Sequence, residues 1–327
     1  MQDIYLKKTP IKPDEDITQF VGRVIAEYEG EVSLLPINDA TEYLIERKAI
    51  YEYLPGQYIY LEKSSQIVHG IINMLYNEIA KPLGFSRWIF PRLHKLQTAD
   101  MFGLIEAWPF YLLKVGAYDY SRKIQTIESG YVLDPVQCMA FYQFLKENKE
   151  FRKKPLKIFE IAGGFTYRNE DKDKLNGIFK TVEFLRVEIL YYDTREKIVE
   201  IRQQVMNKLL ELLTQLNIKW RVVIGMGCYE YPSKQELCKF YEASKVGEIP
   251  VLDIEVLVKN RGKEEWIELA GCALEYDLKV KRFGIEDGLE SGCVGVGINR
   301  FLGAIASYYD IDKPESLPEI FKKYMEV

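Results

Sequence analysis

The sequence predicts an α+β fold in which an antiparallel β-sheet is flanked by helices. Three observations carry that expectation. Strand-like runs outnumber helical ones, among them RVVIG, VLDIEVLV and WIELAGC. The run at 156–168, LKIFEIAGGFTYR, reads as strand, tight turn and strand, because its glycine pair lets the backbone reverse sharply. VEFLRVEILYY then supplies a second β-rich run, so the two form an antiparallel hairpin with a long loop rather than the alternating units of a doubly wound sheet.

Along the chain, residues 1–55 read as short mixed elements, an N-terminal extension packed on a main domain at 56–327. SSQIVHGIINMLYNEIAKPLG is a predicted helix. Ser64 or Ser65 caps it, Ile67, Ile71, Leu75 and Ile79 form one face, and Pro82 and Gly84 mark its end. FSRWIFPRL follows as a strand. EKIVEIRQQVMNKLLELLTQLNI is a second helix, with Ile198, Ile201, Val205, Leu209, Leu212 and Leu216 as its apolar stripe. CVGVGINRFLGAIASYY runs from a strand through glycine into a helix.

With 327 residues, 47% of them hydrophobic, the chain can bury a large core. Its 23 Tyr and 16 Phe belong mainly to that core. A formal charge of −5 argues against a broad polyanion-binding face, although it leaves room for a local basic patch. The N-terminus shows no apolar stretch of a secretory signal, and no run is long enough for a membrane span. The five cysteines, Cys138, Cys228, Cys238, Cys272 and Cys293, are odd in number and scattered. They form no disulfide framework, which points to a reducing cytoplasm. His69 and His94 are expected to be structural, so the chemistry does not depend on histidine.

That chemistry concentrates in two arginine-bearing segments. In GGFTYRNED, Arg168 and Glu170 share a face at strand period. Arg168 offers a planar fork to a phosphate or carboxylate, and Glu170 an acceptor for an exocyclic amine. Past a polar loop, Lys180, Val182, Phe184, Arg186 and Glu188 share one face, whose cations suit phosphates and whose ring suits a purine. A solvated hairpin with cross-strand ion pairs satisfies the same spacing. In GVGINRF, two glycines allow close backbone approach and Arg300 opens a helix. This is neither a Walker loop nor a dinucleotide fingerprint, since no GK[ST] follows and the third glycine is missing.

Together these segments resemble class II aminoacyl-tRNA synthetases. FTYRNE is similar to their motif 2, GVGINRF to motif 3, and FPRL around Pro91 to the motif 1 strand of the dimer interface. Within the class the resemblance is to the seryl type, over roughly residues 55 to 310. It rests on Gly177-Ile-Phe-Lys-Thr-Val-Glu-Phe-Leu-Arg-Val-Glu188 and on ELAGCALEYDLKVKR at 268–282, which keeps Glu268, Cys272, Asp277 and Arg282 in register. The resemblance implies a homodimer and a catalytic set of Arg168, Glu170 and Arg300. In the ATP site it implies, Arg168 holds the α-phosphate and the substrate carboxylate. Glu170 and Phe184 hold adenine, Arg300 with Lys180 holds the γ-phosphate, and Glu268 binds Mg²⁺.

A methanogen-type seryl-tRNA synthetase and the arm-less amino acid:[carrier protein] ligases hold zinc with Cys, Glu and Cys. The matching positions look like Cys138, Glu188 and Cys272, with Cys228, Cys238 and Cys293 left as structural. Three ligands leave one zinc position for a neutral α-amine. The spacing alone is far from a finger pattern and points rather to two small buried hydrophobes. Cys293-Val-Gly-Val-Gly is also similar to a Cys-Val-x-x-Gly run of the arm-less ligases.

The chain departs from the seryl pattern in several places. No long heptad hairpin that would grip tRNA precedes residue 60. Val182-Glu183 replaces a His-Gln pair, Lys180 replaces an arginine, and Gly271 replaces a serine, which implies altered amino-acid recognition. The resulting expectation is activation of a small amino acid to an aminoacyl-adenylate. Transfer to the phosphopantetheine thiol of an acyl or peptidyl carrier protein follows, with tRNA disfavoured as acceptor. The lysine-bearing run SKQELCKFYEASK (233–245) is the candidate docking site for that acidic carrier, although a plain solvated helix accounts for the run more simply. The alternatives are a seryl-type paralogue that aminoacylates tRNA or another small acceptor, and a non-catalytic binding module.

Overall fold

The computed structural model describes residues 24–27, 34–119, 121, 124–160, 165–227 and 246–325. The glycine pair Gly163–Gly164, Cys228, Cys238 and the run 233–245 lie outside the described residues.

The strands are β1 (Val24–Glu27), β2 (Ile50–Leu54), β3 (Gln57–Tyr60), β4 (Ser86–Trp88), β5 (Leu93–Lys95), β6 (Lys114–Asp119), β7 (Ile124–Leu133), β8 (Leu156–Glu160), β9 (Thr166–Tyr167), β10 (Glu183–Phe184), β11 (Arg186–Asp193), β12 (Trp220–Ile224), β13 (Val251–Asn260), β14 (Lys263–Tyr276) and β15 (Glu290–Gly297). The four longer helices are α1 (Glu62–Met74), α2 (Met139–Glu147), α3 (Arg195–Gln215) and α4 (Ile298–Tyr308). Eight strands form the main sheet in the order β1-β12-β13-β14-β15-β11-β8-β4. Every neighbouring pair is antiparallel except β4 on β8. The α+β expectation therefore holds, and FSRWIFPRL contributes an edge strand that stops at Trp88 before Pro91. No helix among the described residues is long and apolar enough to cross a membrane.

The sheet divides the interior in two because successive side chains of a strand face opposite ways. On one face α1, α3 and α4 pack their apolar stripes against Val187, Ile189, Val222, Ile254, Cys272 and Val294. All six predicted stripe residues of α3 are buried, and so are Ile67, Ile71, Leu75 and Ile79. The start of α1 differs from the expectation. Its N-cap is Leu61, and Ser64 lies within the first turn, where its hydroxyl donates to the carbonyls of Ala49 and Leu61. Tying α1 to the neighbouring hairpin outweighs capping there. Beyond Met74 the helix widens into a π-turn over Leu75–Ala80.

The other face carries a smaller core, built on α2 with Phe102, Val132, Leu190, Tyr192 and Phe283, and beside it an open cleft.

Candidate active site

The cleft has a volume of about 450 Å³ and its floor is the sheet itself. One row of paired residues crosses five strands: Asp253, Gly271, Gly295, Glu188 and Glu160. Glycine at 295 is required by what lies above it, since a Cβ there would sit 1.8 Å from Nη2 of Arg186. The Arg186 guanidinium therefore lies flat across Gly295 and pairs with Glu188, Nε to Oε2, at 2.9 Å. Gly271 stays uncovered. Among the described residues a Cβ added there would meet only Asp253 and Glu268, each at 3.5 Å. At the far end the Asp253 carboxyl packs over Gly225, and burial, then Glu268 and Glu255, push it well above the usual carboxylate range.

At the opposite end Cys138, Glu188 and Cys293 converge, all three buried, with ligand atoms within 4.8 Å of one another. The turn before α2 presents Cys138, β11 presents Glu188 and β15 presents Cys293. A hydrogen bond with Cys138, then burial, then the Glu188 charge hold the Cys293 thiol well above its ordinary range. Among the described residues Glu188 Oε2 makes no hydrogen bond, its contact with Arg186 Nε being off line.

This trio corrects the expected ligand set. Cys272 pairs with Val294 and Cys293 with Ala273, so the two cysteines sit on adjacent strands but face opposite sides of the sheet. Cys272 belongs to the helix-covered core with Val294, while Cys138 and Cys293 belong to the cleft side. A shift of one residue in parity removes Cys272 from the reach of Cys138.

Arg168 enters from just past β9 and lines the cleft. Its guanidinium carbon lies 5.4 Å from the ring of Trp108, 5.6 Å from Tyr111 and 5.3 Å from Phe184. Those rings form a cage that holds the cation by its quadrupoles. Burial, then Arg186, lower its pKa from the ordinary guanidinium value. Asn169 fastens the cage: its backbone N–H donates to Tyr111 O and its amide to Phe110 O, both at 3.0 Å.

Glu268 joins this cleft to a second one of about 500 Å³, lined by Lys180, Arg261, Trp266 and Arg300. It shares a face with Gly271, three residues on, because β14 has a bulge that turns Leu269 into the core. Arg300, in the first turn of α4, donates to Phe179 O at 3.0 Å and Glu268 O at 2.7 Å, and pairs with Glu268 Oε2 at 3.2 Å. Desolvation opposes the Glu268 charge, but Arg300, Arg168 and Arg186 outweigh it and hold the carboxyl below its ordinary value. Glu170 and Lys180 pair with each other at 3.4 Å.

Of the expected site residues, Arg168, Glu268, Cys138 and Glu188 line the first cleft and Lys180, Glu268 and Arg300 the second, while Phe184 lies against Arg168 and Glu170 against Lys180. Sequence reasoning left Cys293 as structural rather than as a member of the trio, and it did not include Asp253 or the Trp108–Tyr111 cage. The Cys-Val-x-x-Gly likeness at Cys293 was the one available signal for the ligand.

An antiparallel sheet carrying an arginine from a hairpin and an arginine from the helix after a glycine-rich strand defines a class II synthetase core. The family model described as "tRNA synthetase class II core domain (G, H, P, S and T)" matches residues 120–309, more than half the chain, and the chain belongs to that family. It is 25% identical over 297 residues to a type-2 serine–tRNA ligase of Methanococcoides burtonii, covering 82% of this chain and 58% of the relative. It is 22% identical over 339 residues to that of Methanopyrus kandleri, covering 93% and 63%. The chain therefore spans about three-fifths of the length of these curated relatives. In fold it is similar to the M. kandleri SerRS solved in complex with A. aeolicus tRNASec, with a TM-score of 0.79, 22% identity and coverage of 95% and 65%. It is also similar to the cytoplasmic serine–tRNA ligase of Naegleria fowleri in complex with AMP, with a TM-score of 0.70, 15% identity and coverage of 98% and 74%.

Proposed function

We propose that this chain activates a small amino acid with ATP as an aminoacyl-adenylate and passes the aminoacyl group to tRNA. One observation carries the reading: a single cleft is lined at once by a buried Cys–Glu–Cys trio, by caged Arg168 and by Glu268, the wall it shares with the Arg300 cleft.

The trio fits a zinc ion: two thiols and a carboxylate with an oxygen that makes no hydrogen bond, all buried and close together. Bound there, zinc would accept the neutral α-amine of the substrate and so exclude acids that lack one. Cys138, Glu188 and Cys293 supply the seat, and Arg186 fixes the Glu188 carboxylate. Arg168 faces the substrate carboxylate and the α-phosphate. One carboxylate oxygen bonds to the α-phosphorus, the bond from that phosphorus to its bridging oxygen breaks, and pyrophosphate leaves. Arg168 offsets the negative charge on the oxygens around that phosphorus, and its aromatic cage keeps it preorganised. Arg300 and Lys180 receive the outer phosphates, and Glu268 offers hard oxygens to Mg²⁺. Phe184 stacks on adenine and Glu170 accepts from its amino group.

The acceptor differs from the first expectation. Both relatives are named serine–tRNA ligases and one similar structure holds a tRNA, which opposes disfavouring tRNA. The carrier-protein thiol finds no support in these likenesses. A second copy of the chain is the proposed partner at the segment around Pro91, where Ile89 is 75% and Leu93 49% exposed. Light scattering at micromolar concentration should give twice the monomer mass, and a monomer would count against this contact.

Amino-acid-dependent ATP–pyrophosphate exchange across the common amino acids tests the activation step. Transfer of the labelled amino acid to tRNA, run beside transfer to a phosphopantetheinylated carrier protein, tests the acceptor. Absence of exchange with every amino acid sinks the reading, and thioester formation without tRNA charging overturns the acceptor alone.

A further inference from the structure

The side chains of the cleft hang from a buried polar network that the chemistry itself does not use. Arg92 is its hub. Nη1 lies 2.9 Å from Asp134 Oδ2, and Nη2 lies 2.9 Å and 3.0 Å from the two oxygens of Glu160. Phe90 N–H also donates to Glu160, at 3.2 Å, and His94 Nε2 lies 3.0 Å from Asp134 Oδ1. Both carboxylate side chains are wholly buried, so an arrangement that left either unpaired would be strongly destabilised.

From this hub one side chain reaches to the cleft. Gln137 is fully buried, and its Nε2 donates to Glu160 Oε2 at 2.8 Å and to the backbone carbonyl of Arg186 at 2.7 Å. Both partners are acceptors, which fixes the amide the right way round. Among the described residues its Oε1 has no hydrogen-bond partner, so the amide is held there by those two donated bonds. The residue after Gln137 is Cys138, and Glu188 lies two residues beyond Arg186. Gln137 therefore fastens the turn that bears Cys138 to the strand that bears Glu188.

We infer that Gln137 is a positioning residue: by spanning Glu160 and the Arg186 carbonyl it sets the distance from Cys138 to Glu188, and with it the seat of the substrate amine. The inference rests on the amine seat proposed above. Gln137→Met tests it cleanly, because methionine fills a similar space while Glu160 keeps both bonds from Arg92.

Zinc affinity, read by competition with a chromogenic chelator, should fall roughly tenfold or more in Gln137→Met, the range typical of groups that hold ligands in place. In pyrophosphate exchange the KM for the amino acid should rise by a similar factor while the KM for ATP stays within about twofold. A residue needed only for folding would lower the melting temperature without splitting the two KM values. Should Gln137→Met not accumulate folded, Gln137→Asn takes its place with the same readouts, since it keeps the amide but is too short to span both acceptors. Wild-type levels of zinc affinity and amino-acid KM in the folded variant overturn this inference alone. A wild-type chain that binds no zinc and shows no exchange overturns the amine seat and this inference with it.

Discussion

The two faces of the main sheet are made from the same strands, yet they hold different chemistry. On the helix side, β11, β13 and β15 present Val187, Ile189, Ile254, Val256, Val294 and Val296, all fully buried. On the cleft side the same strands present Arg186, Glu188, Asp253, Glu255, Cys293 and Gly295. The helix face supplies the rigidity, and the cleft face can therefore carry charge and bare glycine floor where packing would favour aliphatic side chains. The contrast between neighbouring cysteines teaches the point most directly: Cys272 is core and Cys293 is site, one strand and one turn of parity apart.

That contrast can be broken by substitution. Cys293→Ala should strip the metal and abolish amino-acid-dependent exchange, while Cys272→Ala should keep both and lose about 1 kcal/mol of stability, as for removal of a small buried group. Elemental analysis of chelator-free protein decides between them, and retention of zinc by Cys293→Ala would reverse the assignment. Arg168→Ala should slow adenylate formation by about 10² to 10³ with an unchanged melting temperature, since it removes charge stabilisation in the transition state. Normal exchange in that variant would remove motif 2 from the mechanism. On the helix face, Leu209→Ala should cost about 3 kcal/mol in denaturant unfolding and leave exchange per folded molecule unaltered. Phe184→Ala is the mildest change. The loss of one ring should weaken ATP by about 1 kcal/mol in a binding titration, and an unchanged affinity would leave Phe184 only its contact with Arg168.

Much of this was legible in the sequence where a single periodicity governs. The stripes of α1 and α3 follow from helical spacing, and the order of the motifs already groups Arg168, Glu268 and Arg300, which line the two clefts. What escaped depends on partners distant in the chain. The start of α1 moved because Ser64 bonds Ala49 across a hairpin. The face of Glu268 relative to Gly271 depends on a bulge at Leu269 that spacing does not reveal. Which of Cys272 and Cys293 faces the cleft is set by the register between β14 and β15, which no local pattern encodes. The cage of Trp108, Tyr111 and Phe184 joins segments more than 70 residues apart and left no local trace.

Glu268 is a wall common to both clefts, and Arg300 pairs with it from the second cleft. A polyphosphate that draws Arg300 toward itself leaves the Glu268 carboxylate freer to act on whatever occupies the other cleft. On the function proposed above, binding of the two substrates is then linked through one shared charge. By thermodynamic reciprocity, the factor by which ATP alters the affinity for the amino acid must equal the factor by which the amino acid alters the affinity for ATP. The order of addition can change the path but not the energy of the ternary complex, and a single ion pair is enough to make the two sites communicate.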